Sequence, residues 1–152
     1  MEVGDHEVAP ETELLLYLAD RAQHVNEVIM PAIEAGNIVL CDRFTDSTVA
    51  YQGYARGMDL RLLQQLNDFA DRGFRPDLTY LLDCPVSVAL SRTARRQSAI
   101  GQSREDRFER EKLEFHEKVR AGFLMLAEGE PGRVRIIDAL RPAEDTAAEI
   151  CD

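Results

Sequence analysis

The sequence predicts an α/β fold in which helices flank a parallel sheet. Three short apolar runs have the composition of strands, and each is followed by an aspartate: Asp42, Asp83 and Asp138. The segments between them carry apolar residues at three- and four-residue spacing, which is typical of amphipathic helices. The strand runs are mainly apolar and do not alternate apolar with polar residues, which indicates a parallel sheet that is covered on both faces. With 152 residues and no visible linker or repeat, the chain is expected to form a single domain, 1–152.

The first element is a long amphipathic helix. Pro10 suits the first turn, where its missing N–H leaves no hydrogen bond unmade. Pro31 is expected to kink the helix, and Gly36 to end it in a left-handed conformation. The apolar run 37–41 (NIVLC) then predicts the first strand, which ends at Asp42. The helix carries its apolar stripe at Leu15, Leu18, Ala22, Val25, Ile29 and Ile33.

Later helices and strands continue this alternation. In order, the sequence predicts a helix from the N-cap Asp59 to Gly73, a strand at 78–82, a helix opened by Pro85, a loop at 98–104, a helix at 105–128, a strand at 134–137, and a helix opened by Pro142.

The composition argues against several classes of protein. A net charge of −10 disfavours binding to nucleic acid polymers or to anionic membranes, because both require a positive surface. No apolar run approaches the ~20 residues that span a bilayer, and the first residues, MEVGDHE, lack the features of a signal peptide. The three cysteines are widely spaced, so neither a disulfide framework nor a zinc site is expected. A cytoplasmic protein is therefore expected.

The ends of the predicted strands are the first candidate sites, because ligands of open α/β sheets bind at the carboxyl ends of the strands. Asp83 and Asp138 are equally compatible with ordinary turn residues. Asp42 differs because Arg43 follows it directly. An acid and a guanidinium at one strand tip suit metal or phosphate chemistry, although a plain ion pair is the alternative.

Three segments together resemble bacterial thymidylate kinase: YLADRAQHVNEVIMPAIEAGNIVLCDRFTDSTVAYQGYARGMD, FRPDLTYLLD and SREDRFERE. They contain Asp-Arg-Phe after a strand, the following Ser-Thr-Val-Ala-Tyr-Gln-Gly, and Arg-Pro-Asp before the next strand. The resemblance runs from about Pro10 to the end of the chain. It implies a nucleoside monophosphate kinase of the P-loop type, which transfers the γ-phosphate of ATP to dTMP with Mg²⁺, giving dTDP and ADP. It also implies a homodimer, to which the long helix from Glu11 is expected to contribute.

The resemblance further implies roles for individual residues on the dTMP side. By similarity, Tyr17 stacks on thymine, in place of a more usual Phe, and Arg21 donates to a base carbonyl. Arg43 contacts the phosphate, and Asp42 arranges the reaction centre. Tyr17 could alternatively be a half-buried helix aromatic, and Ser47 and Thr48 could cap a helix. The implied substrate-binding set is Tyr17, Arg21, Arg43, Ser47, Thr48, Tyr51 and Gln52.

The segment 92–110 resembles the lid that closes over ATP in this family. It holds six arginines and three acidic residues, so its charge opposes that of the chain. Arg92, Arg96 and Arg104 are implied to contact phosphates. The implied catalytic residues are Asp42, Arg43, Arg96 and Arg104. Asp106 and Glu109 match an acidic pair that could hold Mg²⁺. A solvated charged helix face is the alternative for any one of these residues.

One departure from the family is that the sequence contains no G-x-x-x-x-G-K-[ST] phosphate-binding loop. In the family that loop precedes the long helix, together with the first two strands. The chain is therefore expected to be a truncated kinase that is inactive alone. The family's strand order of 2-3-1-4-5 would then leave the strands that end at Asp42 and Asp83 on either side of an empty position. A non-catalytic module that binds dTMP or another nucleotide, and a kinase for a different nucleoside monophosphate, are the alternative functions.

Overall fold

The computed structural model describes residues 8–99 and 107–151. Its Cα atoms cluster into two compact units, Met1–Arg75 and Pro76–Asp152. The first unit is helical, and the second contains a parallel sheet with helices.

The first unit begins with the long helical run α1. It comprises Pro10–His24, a wider π-helical turn at Val25–Ile29, and Met30–Glu34. The π-helical turn ends two residues before Pro31, which has no backbone N–H to donate. Gly36, with φ of +80°, ends the run in the left-handed conformation that its position predicted.

Two more helical segments complete the first unit. The segment α2 comprises Thr45–Thr48 and a π-helical stretch at Val49–Ala55. The helix α3, Leu60–Asp71, starts as predicted, because the Asp59 side chain accepts a hydrogen bond from the backbone N–H of Leu62.

The core of the first unit forms where α1 packs on α3. Leu14 and Leu18 of α1 meet Leu63 and Ala70 of α3, and all four side chains are buried. The α2 segment approaches α3 at Gly53, where a Cβ atom would lie 2.5 Å from Leu60 Cδ2. The absence of a side chain at this position permits the close approach.

The strand predicted at 37–41 is wrong for the described structure. Residues 37–41 have no regular secondary structure, and the side chains of Ile38 and Leu40 are 92% and 94% exposed. An apolar run becomes a strand only when a neighbour satisfies its backbone donors and acceptors. Within residues 8–99 and 107–151, the sheet consists of two other strands.

The second unit contains those strands, β1 at Thr79–Asp83 and β2 at Val134–Asp138. They pair in parallel, with Thr79 opposite Val134 and Asp83 opposite Asp138. Their neighbouring positions agree with the strand order that the family resemblance implies. The helices of this unit are α4 at Val86–Ala99, α5 at Arg107–Gly129 and α6 at Ala143–Cys151.

These observations confirm the α/β class and the parallel sheet. The second and third predicted strands and the four later helices are present within one or two residues wherever the structure describes their ends. In the part of the chain that is described, no helix is long and apolar enough to cross a membrane.

Candidate functional site

A cavity of about 210 Å³ lies within the first unit, between α1, α2 and the loop that joins them. The structure brings together here every residue that the sequence analysis assigned to substrate binding. These residues are Tyr17, Arg21, Arg43, Ser47, Thr48, Tyr51 and Gln52.

Arg21 is the most firmly held cation of the cavity. Its Nη1 donates to Asn67 Oδ1 at 2.6 Å, and its Nη2 donates to Thr48 Oγ1. Its Cζ lies 5.4 Å from the centre of the Phe44 ring, a cation–π distance. Burial lowers the pKa of the Arg21 guanidinium, and the negative charge of Asp71 opposes that shift. Arginine stays protonated in proteins, so the wall of the cavity carries a fixed positive charge.

Tyr17 precedes Arg21 by one helical turn, so both side chains lie on one face of α1. The Tyr17 side chain lines the cavity and is 55% exposed, so about half of its surface is open to a ligand. An aromatic ring and a guanidinium at this spacing can contact the face and the edge of the same planar ligand.

Arg43 supplies a second cation, on the loop between α1 and α2. Its Cζ lies 5.3 Å from the centre of the Tyr51 ring. The backbone of Arg43 has φ of +67°, a left-handed conformation that is costly for a residue with a Cβ atom. The adjacent Asp42 is exposed and is not among the residues that line the cavity.

Ser47, Thr48 and Gln52 lie along α2. Neither Ser47 nor Thr48 caps a helix through its side chain, because Phe44 is the N-cap of the helix and Thr48, which precedes the π-helical stretch, makes no capping hydrogen bond. Gln52 is 2% exposed, and its Nε2 donates to Glu13 Oε1 at 2.8 Å. The other oxygen of Glu13 accepts from Arg56 Nη2 at 2.9 Å, so the carboxylate links α1 to the middle of the π-helical stretch and to the residue that follows it.

The cavity also contains five residues that the sequence analysis missed. Three of them, Glu13, Asp20 and His24, share the helix face of Tyr17 and Arg21, so their spacing of three and four residues could have identified them. Cys41 and Phe44 flank the Asp-Arg pair. Burial raises the pKa of the Cys41 thiol, and the negative charge of Asp42 adds to that shift.

The residues expected to meet ATP and metal belong to the second unit or lie outside the described residues. Arg92 donates from Nη1 to the Ala139 carbonyl oxygen at 2.9 Å. Arg104 and Asp106 lie outside the described residues, as do the side chains of Arg96 and Glu109. Among the side chains that are described, no group of three or more His, Cys, Asp or Glu residues could hold a metal ion.

The strand-tip aspartates Asp83 and Asp138 have structural partners. Both oxygens of Asp83 accept from Arg120, from Nε at 2.7 Å and from Nη2 at 2.8 Å. These hydrogen bonds lower the pKa of the Asp83 carboxyl. Asp138 Oδ1 accepts from the Leu140 backbone N–H at 2.9 Å, as turn aspartates commonly do.

Comparison with known proteins gives a consistent result. A profile of the family described as thymidylate kinase matches residues 2–150. The thymidylate kinase of Geobacter sulfurreducens is 55% identical over 152 residues, which are 100% of this chain and 71% of that protein. The thymidylate kinase of Desulfovibrio desulfuricans is 54% identical over 150 residues, 98% of this chain and 69% of that protein.

The fold comparison agrees. A crystal structure of thymidylate kinase from Ehrlichia chaffeensis superposes with a TM-score of 0.72 at 30% identity. That superposition covers 97% of this chain and 65% of the Ehrlichia chain. The chain thus spans about two thirds of the length of the proteins it matches.

Proposed function

The chain belongs to the thymidylate kinase family of nucleoside monophosphate kinases, and from this membership we propose that it supplies the dTMP-binding part of an enzyme that converts ATP and dTMP to ADP and dTDP. The single observation that carries the proposal is the clustering of Tyr17, Arg21, Arg43 and Tyr51 in one cavity. Two aromatic rings and two guanidinium groups suit a ligand with a planar base and an anionic phosphate.

Each wall of the cavity receives one part of the nucleotide. Tyr17 stacks on thymine, while Arg21 donates to a carbonyl oxygen on the edge of the base. Ser47, Thr48 and Gln52 line the base pocket, and the Glu13 carboxylate keeps the Gln52 amide in one orientation. Tyr51 packs against the sugar, where its ring leaves no room for a 2′-hydroxyl group.

Arg43 binds the phosphate that accepts the transferred group. A guanidinium there neutralises oxygens that gain negative charge as the transfer proceeds, and this charge stabilisation is the main service that a protein gives to phosphoryl transfer. Asp42, beside it, arranges the reaction centre. The reaction requires no covalent bond to the protein, because positioning of the two nucleotides for in-line displacement is sufficient.

The ATP side rests on the resemblance to the family. Arg92, Arg96 and Arg104 contact ATP phosphates, and Asp106 with Glu109 holds Mg²⁺, which would supply positive charge at the phosphates when bound. We also propose a homodimer, supported by Leu15 and Leu16 of α1, which are 60% and 63% exposed. A cytoplasmic location follows from the substrates.

Calorimetric titration of the protein with dTMP, thymidine and dCMP tests the dTMP site. Thymidine lacks the phosphate assigned to Arg43, and dCMP carries an amino group where thymine has the carbonyl assigned to Arg21. We expect dTMP to bind more tightly than either. Arg43→Ala should remove the advantage over thymidine, and Arg21→Ala the advantage over dCMP.

The matched control is Arg61→Ala, which removes an exposed arginine of α3 that does not line the cavity. It should leave all three affinities unchanged. Equal affinity of the unmodified protein for the three ligands, or no binding of dTMP, would overturn the proposal.

A further inference from the structure

Arg21 is held in the cavity wall by a residue that does not itself line the cavity. Asn67 lies 46 residues later in the chain, on α3, and its Oδ1 accepts from Arg21 Nη1 at 2.6 Å. The Asn67 side chain is 1% exposed. The second hydrogen bond of the guanidinium goes to Thr48 on α2, so groups on two other helices fix its orientation.

The orientation of the Asn67 amide is determined by this contact. Arginine only donates hydrogen bonds, so the oxygen of the amide must face it. The Nδ2 atom of Asn67 is buried and has no hydrogen-bond partner in the described structure. An unpaired buried donor is destabilising, so packing alone does not account for an asparagine here. The presence of an asparagine is explained by its Oδ1 atom, which accepts the hydrogen bond from Arg21.

Asp71 supports the same arrangement from one turn further along α3. Its side chain is fully buried, and its two oxygens accept from the Gly73 backbone N–H at 2.9 Å and from Arg75 Nη1 at 3.1 Å. Its negative charge favours the charged form of Arg21. The face of α3 that turns toward α1 thus offers Arg21 both an acceptor and a counter-charge.

We propose that Asn67 is a positioning residue for base selection: it holds the Arg21 guanidinium where its remaining N–H groups meet a carbonyl of the base. This proposal rests on the function proposed above and deepens it. A guanidinium that is free to turn could still bind an anion, but it would distinguish a carbonyl from an amino group poorly. Asn67 therefore affects the choice of base rather than the binding of phosphate.

The test measures the ratio of the dissociation constants for dCMP and dTMP. Asn67→Leu should lower this ratio about tenfold, because one hydrogen bond to a charged group is worth roughly one power of ten in an equilibrium constant. The same substitution in an Arg21→Ala background should lower it no further, since coupled residues do not act additively. A purely structural defect would weaken both ligands alike and leave the ratio unchanged.

Further variants make the result independent of one substitution. Asn67→Ser, which is too short to reach Arg21, replaces Asn67→Leu if the leucine variant does not fold, with the same expectation. Asn67→Asp keeps an acceptor oxygen and replaces the unpaired Nδ2 with a second oxygen, whose negative charge the Arg21 guanidinium can neutralise, so its ratio should stay within about threefold of the unmodified protein. Gln65→Leu, an exposed amide on the same helix, should change nothing.

The outcomes separate the two proposals. If the unmodified protein does not prefer dTMP to dCMP, the proposed base site fails. If it does, and Arg21→Ala removes the preference while Asn67→Leu or Asn67→Ser keeps it, only the role of Asn67 is overturned. A fall of the ratio in Asn67→Asp as large as in Asn67→Leu would also overturn that role.

Discussion

Arg43 combines a functional side chain with an unfavourable backbone. Its φ of +67° lies in the left-handed region, which costs about 1–2 kcal/mol for a residue with a Cβ atom. Glycine would adopt this conformation without strain, but it would remove the guanidinium that faces the cavity. Strained residues of this kind are concentrated at functional sites, where the side chain is needed in one place.

Two variants, Arg43→Gly and Arg43→Ala, distinguish the effect of backbone strain on stability from the effect of the guanidinium charge on binding. We expect Arg43→Gly to be more stable than Arg43→Ala by about 1 kcal/mol, because only alanine retains the left-handed strain. Both variants should lose affinity for dTMP equally. Urea denaturation measures the first difference, and titration with dTMP measures the second.

Arg61, in the first turn of α3, is the matched control. Its conformation is helical, so Arg61→Gly should be less stable than Arg61→Ala by roughly 0.5–1 kcal/mol, the opposite sign. If glycine is the less stable choice at residue 43 as well, the conformation of Arg43 is not strained.

An ion pair joins the end of the strand β1 to the helix α5. Asp83 is the last residue of the strand, and Arg120 of α5 donates to both of its oxygens. The side chains are 21% and 34% exposed, so the contact is partly shielded from water. Bidentate pairs of this kind also restrict geometry, which makes Asp83 a structural residue.

Removal of this pair should produce a defined pH dependence. Arg120→Gln should lower the free energy of unfolding at pH 7 by about 1 kcal/mol, after allowance for screening at the partly exposed arginine. The pKa of Asp83 is lower in the folded state than its usual value near 3.9. The stability from the pair is therefore complete above that value and is lost as the pH falls through the folded-state pKa.

Urea denaturation between pH 7 and pH 2 checks this expectation. The difference between the unmodified protein and Arg120→Gln should be constant above about pH 5 and should disappear in strong acid. Lys118→Gln, which removes the exposed Lys118–Glu114 pair on the same helix, is the control and should have little effect at any pH. A difference that persists unchanged into strong acid would contradict the role given to the Asp83 carboxylate.

Substrate binding and catalysis are expected to separate in this protein. The cavity holds the predicted dTMP residues, but the 152 residues contain no phosphate-binding loop for ATP. We expect the purified chain to release no ADP in the presence of dTMP, ATP and Mg²⁺, because its arginines cannot replace that loop's backbone amides and lysine. A coupled enzymatic assay measures the release of ADP, and its response to added ADP shows that the assay works.

The control for this prediction is Arg43→Ala. Turnover that depends on dTMP and disappears in Arg43→Ala would show that the chain itself is catalytic. Turnover that survives the substitution would point to a contaminating kinase.

The exposed segment 38–41 is expected to have little protection against hydrogen exchange. Ile38 and Leu40 are almost wholly exposed, and the segment forms no strand in the described structure. We expect the amides of 38–41 to exchange hydrogen far faster than those of 119–126 in α5, because helical hydrogen bonds must open before exchange. Mass spectrometry of exchanged peptides measures both segments at once, and comparable protection of the two would contradict the unpaired state of 38–41.

The sequence predicted secondary-structure elements better than it predicted which strands pair and which distant side chains form hydrogen bonds. The runs 37–41 and 134–137 look alike as strings of apolar residues, yet only the second is paired, since composition does not report whether a neighbouring strand exists. Tyr17 and Arg21 were found through a family motif. Asn67 was not, because its hydrogen bond to Arg21 joins positions 46 residues apart that no local pattern connects.

The positions of the cavity residues in the sequence determine when the cavity can form during translation. Among the residues that the structure describes, every group that lines or supports it comes from the stretch between Glu13 and Arg75. Ribosomes add about 5–20 residues per second, so this stretch leaves the exit tunnel seconds before β2 is synthesised. The hydrogen bonds around the cavity join residues up to 46 positions apart, and in the described part of the chain they involve no residue after Arg75. A nascent chain is thus able to assemble its nucleotide pocket, and to be stabilised by dTMP, while the sheet is still being translated.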